Sequence, residues 1–291
     1  MAMRPGPASR TGSLLVVVAH PDDESFGPGG TLALYARQGI AVHLLCATRG
    51  EVGQSDADLL RGYASVADLR EHELRCAAAI LGLASVEFLG YRDSGMPGSP
   101  DNRHPQALAA APLDQVAARI THTIRQTRPQ IVITFDPIGG YHHPDHIAIH
   151  KATLQAFQAA GDPSQFPDGL SPHAPQKLYY HTFPRRALRI LVLALRLAGR
   201  DPSRWGTNGD ITLTAIAAVD YPIHAAIDVR SVAKAKQAAS ACHASQGGRS
   251  SGRITVWLTR LFGDRETFMR AHPPAPKGLR ERDLFEGVSV G

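Results

Sequence analysis

Cysteine is scarce. Cys46, Cys76 and Cys242 are the only three in 291 residues, too few and too far apart for a disulfide framework, and no CxxC pair exists to build a zinc ribbon. Cys46 falls in an apolar run and Cys76 on a helical pattern, so both read as buried free thiols, which suits a cytoplasmic protein. Apolar runs stay short as well. Residues 1–13 hold no apolar h-region and read as a disordered tail rather than a signal peptide. The apolar stretch at 185–199 is too short to span a bilayer. Its arginines (185, 186, 189, 196 and 200) leave a membrane-surface helix as the minority reading, behind a subunit interface or a helix over the core. Blocks of basic residues are missing too: a net charge of +5 is spread over scattered arginines, so no nucleic-acid footprint is expected. Neither GxGxxG nor GxxxxGK[ST] occurs, which leaves a dinucleotide or nucleoside-triphosphate site unsupported.

What the chain does have is alternation of strand and helix. Residues 14–18, 40–47 and 130–135 are apolar without a period of two, the mark of strands buried on both faces, and 85–89 reads as a short strand between them. Between and after them, residues 31–36, 68–81, 113–127 and 147–160 repeat apolar positions at helical spacing. Residues 94–112 are Pro-rich and read as a long loop. The expected fold is α/β: a Rossmann-like, mostly parallel sheet with helices on both faces. A core at 14–160 is followed by 161–291, a smaller C-terminal α/β extension of the same domain. There the pattern gives strands at 177–181, 213–219 and 225–229, helices at 184–199 and 231–245, an apolar stretch at 255–262 and a surface tail from His272.

Two strand ends carry the chemistry. The first strand runs into His20-Pro21-Asp22-Asp23-Glu24, where Pro21 cannot feed a ladder and three carboxylates cannot enter a core. Carboxylates so close repel one another unless a cation or shared proton intervenes, and a divalent metal is the obvious cation. The fourth strand runs into Tyr141-His142-His143-Pro144-Asp145-His146, with His150 one turn on. In open sheets the first and fourth strands flank the switch point where ligands bind. His20, Asp23 and one of His143 or His146 make a two-histidine, one-carboxylate set with an open position, the composition of a catalytic zinc site. Asp22 is then left beside the metal, where a general base belongs.

These residues closely resemble a known family. Ala19-His20-Pro21-Asp22-Asp23-Glu24 paired with His143-Pro144-Asp145-His146 is similar to the LmbE-like, or PIG-L, family of metal-dependent de-N-acetylases, which act on N-acetylglucosaminyl-phosphatidylinositol and on mycothiol and bacillithiol precursors. Arg70-Glu71-His72-Glu73-Leu74, Tyr91 to Met96, His243 to Gln246 and Asp283-Leu284-Phe285 resemble its other landmarks, so the likeness spans most of the chain. The resemblance implies His20, Asp23 and His146 as ligands of Zn2+, or of another divalent ion such as Fe2+. It implies Asp22 as general base, His143 as electrostatic or acid partner oriented by Asp145, Tyr141 as oxyanion stabiliser, and Arg70 and Asp93 as sugar contacts. Read from the residues alone, Arg70 is a helix-surface partner of Glu71 or Glu73 and Asp93 a turn cap.

The implied function is zinc-dependent removal of acetyl from a small N-acetylglucosamine conjugate by activated water. An amidase for a larger acyl or thiol-conjugate amide is the second reading, and a non-catalytic metal-containing binding protein the third; a homo-oligomer is compatible with any of them. One departure stands out: Phe26-Gly27-Pro28 occupies a place where the mycothiol enzymes carry Ser or Lys, which argues against mycothiol-type substrates.

Overall fold

The first strand, β1 (Ser13–Val18), has no polar position to turn outward from Leu14 on, and in the computed structural model of the protein it lies inside a seven-stranded sheet. The structure describes residues 10–182, 185–204, 212–248 and 265–289. The other strands are β2 (Ala41–Thr48), β3 (Ser85–Tyr91), β4 (Ile131–Phe135), β5 (Lys177–Thr182), β6 (Ala225–Asp228) and β7 (Arg265–His272), in the order β3-β2-β1-β4-β5-β7-β6. The first five in that order are parallel; β7 runs antiparallel to both β5 and β6. The order reverses between β1 and β4, the switch point expected from the sequence.

Alternate β1 side chains enter two cores. Leu14, Val16 and Val18 meet α2 (Gly29–Arg37), α3 (Val66–Leu81) and α9 (Ala233–Cys242), whereas Leu15 and Val17 meet α4 (Leu113–Thr127) and α6 (Pro144–Ala159). Local chemistry fixes the helix ends. Ser65 Oγ accepts from the Asp68 N–H at 3.1 Å to start α3, and Gly82, at φ 76°, ends it in the left-handed region.

The C-terminal part adds β5, β6 and β7 to the same sheet and departs from the sequence expectation in two places. Residues 213–219 form no strand but the helix α8 (Leu213–Ala218). Leu213, Ile216 and Ala217, three and four apart, bury against Val192 and Leu195 of α7 (Arg185–Leu197), so the apolar run satisfies a helical period. The sequence pattern also missed β7, whose charged residues hide it. Glu266 sits buried because its two carboxylate oxygens accept the Gly30 and Thr31 N–H groups at 2.8 and 2.7 Å, at the open N-terminus of α2. The apolar stretch at 255–262 lies outside the described residues. The Arg-rich helix α7 is anchored by a buried pair, Arg185 to Asp136 at 3.0 Å, just beyond β4. Its outer side exposes Ile190, Leu193 and Leu197. Among the described residues no helix is long and apolar enough to cross a membrane.

Cysteine usage also differs from expectation. Cys46 is a buried free thiol, but Cys76 is neither buried nor free: it is disulfide-bonded to Cys242, tying α3 to α9 across 166 positions of sequence. Spacing could not reveal this, because the partner sits on a helix that reaches α3 only through the tertiary fold. We expect one titratable thiol, Cys46, in the denatured, unreduced protein. Cys76→Ser should cost about 2–4 kcal/mol of stability, read from denaturant midpoints. Three free thiols in that titration would remove the cross-link.

Candidate metal centre at the switch point

After Val18 the chain leaves the sheet through Ala19 and His20 and turns at Asp22, whose φ of 124° is strained for a residue with a side chain. The turn is held from within. The Asp22 N–H donates to Glu24 Oε2 at 3.0 Å, and the His20 N–H donates to Asp23 Oδ2 at 2.8 Å. A single helical turn, α1 (Asp23–Phe26), follows. Glu24 is fully buried and its other oxygen meets His243 Nε2 at 2.7 Å, so the segment that the disulfide ties down also braces the acidic turn.

At the second strand end, β4 passes through Asp136 into a short turn, α5 (Gly139–His142), and His143 then caps α6. Its Nδ1 accepts the Asp145 N–H at 3.2 Å, and Pro144 takes the first helical position, where no donor is needed. His146, one turn in, donates from Nδ1 to the Gly139 carbonyl at 3.1 Å. Gly139 has to be glycine: its φ is 63° and a Cβ there would stand 2.6 Å from that of His146. Phe135 stacks on the His146 ring at 4.0 Å between centroids. Of the four clustered histidines, His143 and His146 face the centre, while His150 turns back to the Phe135 carbonyl at 2.9 Å.

The two strand ends meet atom to atom. His20 Nδ1 lies 3.1 Å from His146 Nε2, His146 Nε2 lies 3.4 Å from Asp23 Oδ1, and Asp23 Oδ2 lies 3.7 Å from His20 Nδ1. The other face of His20 is engaged too: Nε2 is 3.1 Å from Asp145 Oδ2 and 3.5 Å from Asp93 Oδ1. His20 Nδ1 and His146 Nε2 face each other across 3.1 Å, a gap that a shared proton or a shared cation bridges. A tetrahedral ion with ligands at about 2.0–2.1 Å sets them roughly 3.3 Å apart, close to the 3.1 Å between the two imidazoles and the 3.4 Å from His146 to Asp23 Oδ1. The cluster therefore fits a divalent metal. Two further three-ligand groupings lie within range, His20 with His143 and His146, and His20 with Asp93 and Asp145. We favour His20, Asp23 and His146 over the last of these, because Asp145 and Asp93 face the nitrogen of His20 that points away from His146.

Burial dominates the electrostatics. It pushes the Asp22 and Asp23 carboxyls well above the usual range, against the pull of Arg70 on Asp22 and of His20 on Asp23. Burial, with the nearby His20 and His146, holds His143 below its ordinary value and so neutral. For His20, burial is outweighed by Asp93, Asp145 and Asp23, and its affinity for a proton rises.

Not every residue singled out in the sequence sits as expected. Asp145 does not turn its carboxylate to His143. Its oxygens take His20 Nε2 and both the N–H and the hydroxyl of Ser94, and only its backbone N–H meets His143. Ser94 lies in the landmark loop Tyr91 to Met96, but its contact with Asp145 had no signal in the sequence. Arg70 is buried and pairs with neither Glu71 nor Glu73; it donates to the Pro21 carbonyl at 2.7 Å, the Gly50 carbonyl at 3.2 Å and Asp22 Oδ2 at 3.3 Å. Glu73 instead takes Ser245. Asp93 does accept the Gly95 N–H in a turn, and it reaches His20 besides. The Tyr141 ring stands edge-on to His146, 4.9 Å between centroids.

Beside the centre opens a cavity of about 230 Å³ whose lining includes Asp22, Asp23, Tyr141 and His146.

Comparison with known proteins adds four findings. The family model described as PIG-L: GlcNAc-PI de-N-acetylase matches residues 15–157. The 1D-myo-inositol 2-acetamido-2-deoxy-alpha-D-glucopyranoside deacetylase of Acidothermus cellulolyticus is 39% identical over 297 residues, covering 96% of each chain. Among solved structures, N,N'-diacetylchitobiose deacetylase from Pyrococcus horikoshii aligns with a TM-score of 0.60 at 21% identity, covering 89% of this chain and 83% of that one. A 4-carboxy-2-hydroxymuconate hydratase from Pseudomonas putida aligns almost equally well, with a TM-score of 0.58 at 24% identity over 92% of this chain and 99% of that one. The fold thus serves more than one reaction, and the argument for this chain has to come from its site.

Proposed function

The chain belongs to the PIG-L family, and from that premise we propose that it is a metal-dependent hydrolase that removes acetyl from a small N-acetylglucosamine conjugate. The observation that carries this reading is the convergence of His20 Nδ1, His146 Nε2 and Asp23, with Asp22 on the wall of the same cavity. His20, Asp23 and His146 hold the ion. Zinc suits a set of two imidazoles and one carboxylate with a position left open. When bound, the ion supplies Lewis acidity, polarising the amide carbonyl and lowering the pKa of the attacking water.

The side chains do the rest. Asp22 takes the proton from the water and passes it to the departing nitrogen, so that the C–N bond breaks to an amine and acetate. Arg70, from behind, fixes the Asp22 carboxylate through a 3.3 Å contact. His143 is neutral and its Nδ1 already accepts a backbone N–H, so its Nε2–H is free to donate to the carbonyl oxygen as charge develops. Tyr141, in the lining of the same cavity, offers a second donor. Asp93 accepts from sugar hydroxyls. Asp145 orients His20 rather than His143, the carboxylate–histidine–metal arrangement that raises ligand basicity. Asp145→Asn should therefore weaken metal binding by about 10–100-fold, measured by competition with a chelating dye. Unaltered affinity would reduce Asp145 to a helix-start residue.

The substrate follows the relatives: a glucosamine whose nitrogen carries acetyl and whose anomeric oxygen carries inositol or a similar small group. Identity of 39% over nearly the whole chain weighs more than the single Phe26 departure, which then tunes the site rather than redirecting it. Release of a primary amine from N-acetylglucosaminyl-inositol by the zinc-loaded protein is the test. No amine from this or any simple N-acetylglucosaminide, across zinc, iron and cobalt loadings, would overturn the reading.

A further inference from the structure

We propose that the outer face of α7 is a docking surface for an anionic lipid bilayer, on which the protein rests without crossing it. The helix has two unlike faces. The inner one carries Val192 and Leu195, buried against Leu213, Ile216 and Ala217 of α8. The outer one carries Ile190, Leu193 and Leu197, which are 64%, 58% and 81% exposed. Three and four apart, they form one stripe along the helix. Phe26, Ile80, Leu113 and Leu170 are the other large apolar side chains exposed among the described residues, and each stands alone on a different segment. Single exposures of that kind are ordinary, whereas a contiguous stripe marks a contact surface.

Charge decides what the stripe meets. The helix contains arginine at 185, 186, 189 and 196 and no acidic residue. Arg185 is committed to Asp136 inside the fold. Arg189 and Arg196, seven apart, run along one side of the stripe, and Arg200 follows just past the helix end; all three are exposed. The acids nearby, Asp201 and Asp220, are fewer than the exposed arginines at 189, 196, 200 and 204, so the balance stays positive. Asp220 meets Arg189 at 3.5 Å between two exposed side chains, a weak pairing.

An apolar stripe edged by arginine is the composition of a helix lying in a membrane–water interface. Its leucines enter the acyl boundary while the guanidinium groups reach the lipid phosphates. A second copy of the chain fits less well. Two such faces meeting on a two-fold axis would set arginine against arginine, with no carboxylate on either helix to pair them. Three side chains also offer far less than the roughly 800 Å² per partner of a stable dimer. The seat matters for the site, because Tyr141, in the cavity lining, packs on the same α7–α8 cluster. Docking thus holds the cavity one side chain away from the membrane-seated element, whichever amide is hydrolysed there.

The experiment is co-sedimentation of the full chain with vesicles of phosphatidylglycerol and phosphatidylcholine in equal parts, against vesicles of phosphatidylcholine alone. Each arginine near an anionic surface is worth roughly fivefold in partitioning, so the mixed vesicles should bind at least about tenfold more strongly, and the preference should fade as salt is raised. Leu193→Glu with Leu197→Glu should lower that partitioning by about tenfold or more while the melting transition stays in place, because both side chains already face water. Should the glutamates unfold the helix, Arg196→Gln with Arg200→Gln decides: it should remove most of the preference for the mixed vesicles. No binding, or equal binding to both kinds of vesicle, overturns the proposal. So does a folded double-glutamate protein that partitions like wild type. Sedimentation velocity without lipid supplies the remaining arm: a wild-type dimer that Leu193→Glu with Leu197→Glu dissociates gives the face to a second copy and overturns the bilayer, whereas a wild-type monomer supports it.

Discussion

Asp22→Asn should keep a full complement of divalent metal and lose about 10²–10⁴-fold in turnover, the usual worth of a positioned general base. The position makes asparagine the right replacement. Asp22 holds φ at 124°, and asparagine tolerates positive φ better than alanine does, so the turn that presents His20 and Asp23 survives. The contact with Arg70 also survives in part, because the amide oxygen can still accept from the guanidinium. What is lost is the capacity to take a proton. Steady-state amine release on metal-loaded protein measures it. Turnover within threefold of wild type would transfer the role to another carboxylate, with Glu24 excluded by its full burial against His243.

His146→Ala should leave the purified protein without stoichiometric metal, and therefore without activity. The ligand arrives pre-oriented: its Nδ1 is tied to the Gly139 carbonyl, its ring is stacked on Phe135, and only Nε2 is left to face His20 and Asp23. Removing it leaves His20 and Asp23, with His143 as the other imidazole in range, and a set short of its pre-oriented ligand holds zinc far more weakly. Elemental analysis after dialysis, alongside a cooperative melting transition as proof of folding, gives the answer. Full metal content in a folded His146→Ala protein would move the site to His20, Asp93 and Asp145.

The parallel sheet was legible because its central strands β1 and β4 are apolar at nearly every position. A strand buried on both faces leaves no doubt about where it lies, and residues 14–18 and 131–135 took the central places their composition demanded. Legibility failed where burial was achieved by pairing. β7 carries Glu266, buried by a partner 236 positions away, and Arg270, paired with Glu281 eleven positions on, and no pattern along the chain announces such partners. Residues 213–218 failed for a different reason: a short apolar run satisfies strand and helix alike until the neighbouring α7 chooses the helix. The candidate ligands sit in two short motifs; the contacts that hold their surroundings in place are not written along the chain. Ser94 on Asp145, Asp145 on His20, Arg70 behind Asp22 and His243 against Glu24 are all contacts across loops. The Cys76–Cys242 link belongs with them.

His20 and His146 are 126 positions apart, and each hangs from a different strand on either side of the reversal in strand order. An ion held by both is a cross-link as well as a reagent, and it exists only in the folded chain. Folding and metal uptake are then one equilibrium: free ion at 1,000 times its dissociation constant adds about 4 kcal/mol to the stability of the fold. Melting temperature becomes a gauge of site occupancy, rising with the logarithm of free metal and falling with a chelator. Activity lost on prolonged chelation at warm temperature would accordingly include unfolded protein, and recovery on adding metal back would depend on how long the two strand ends had been left unjoined.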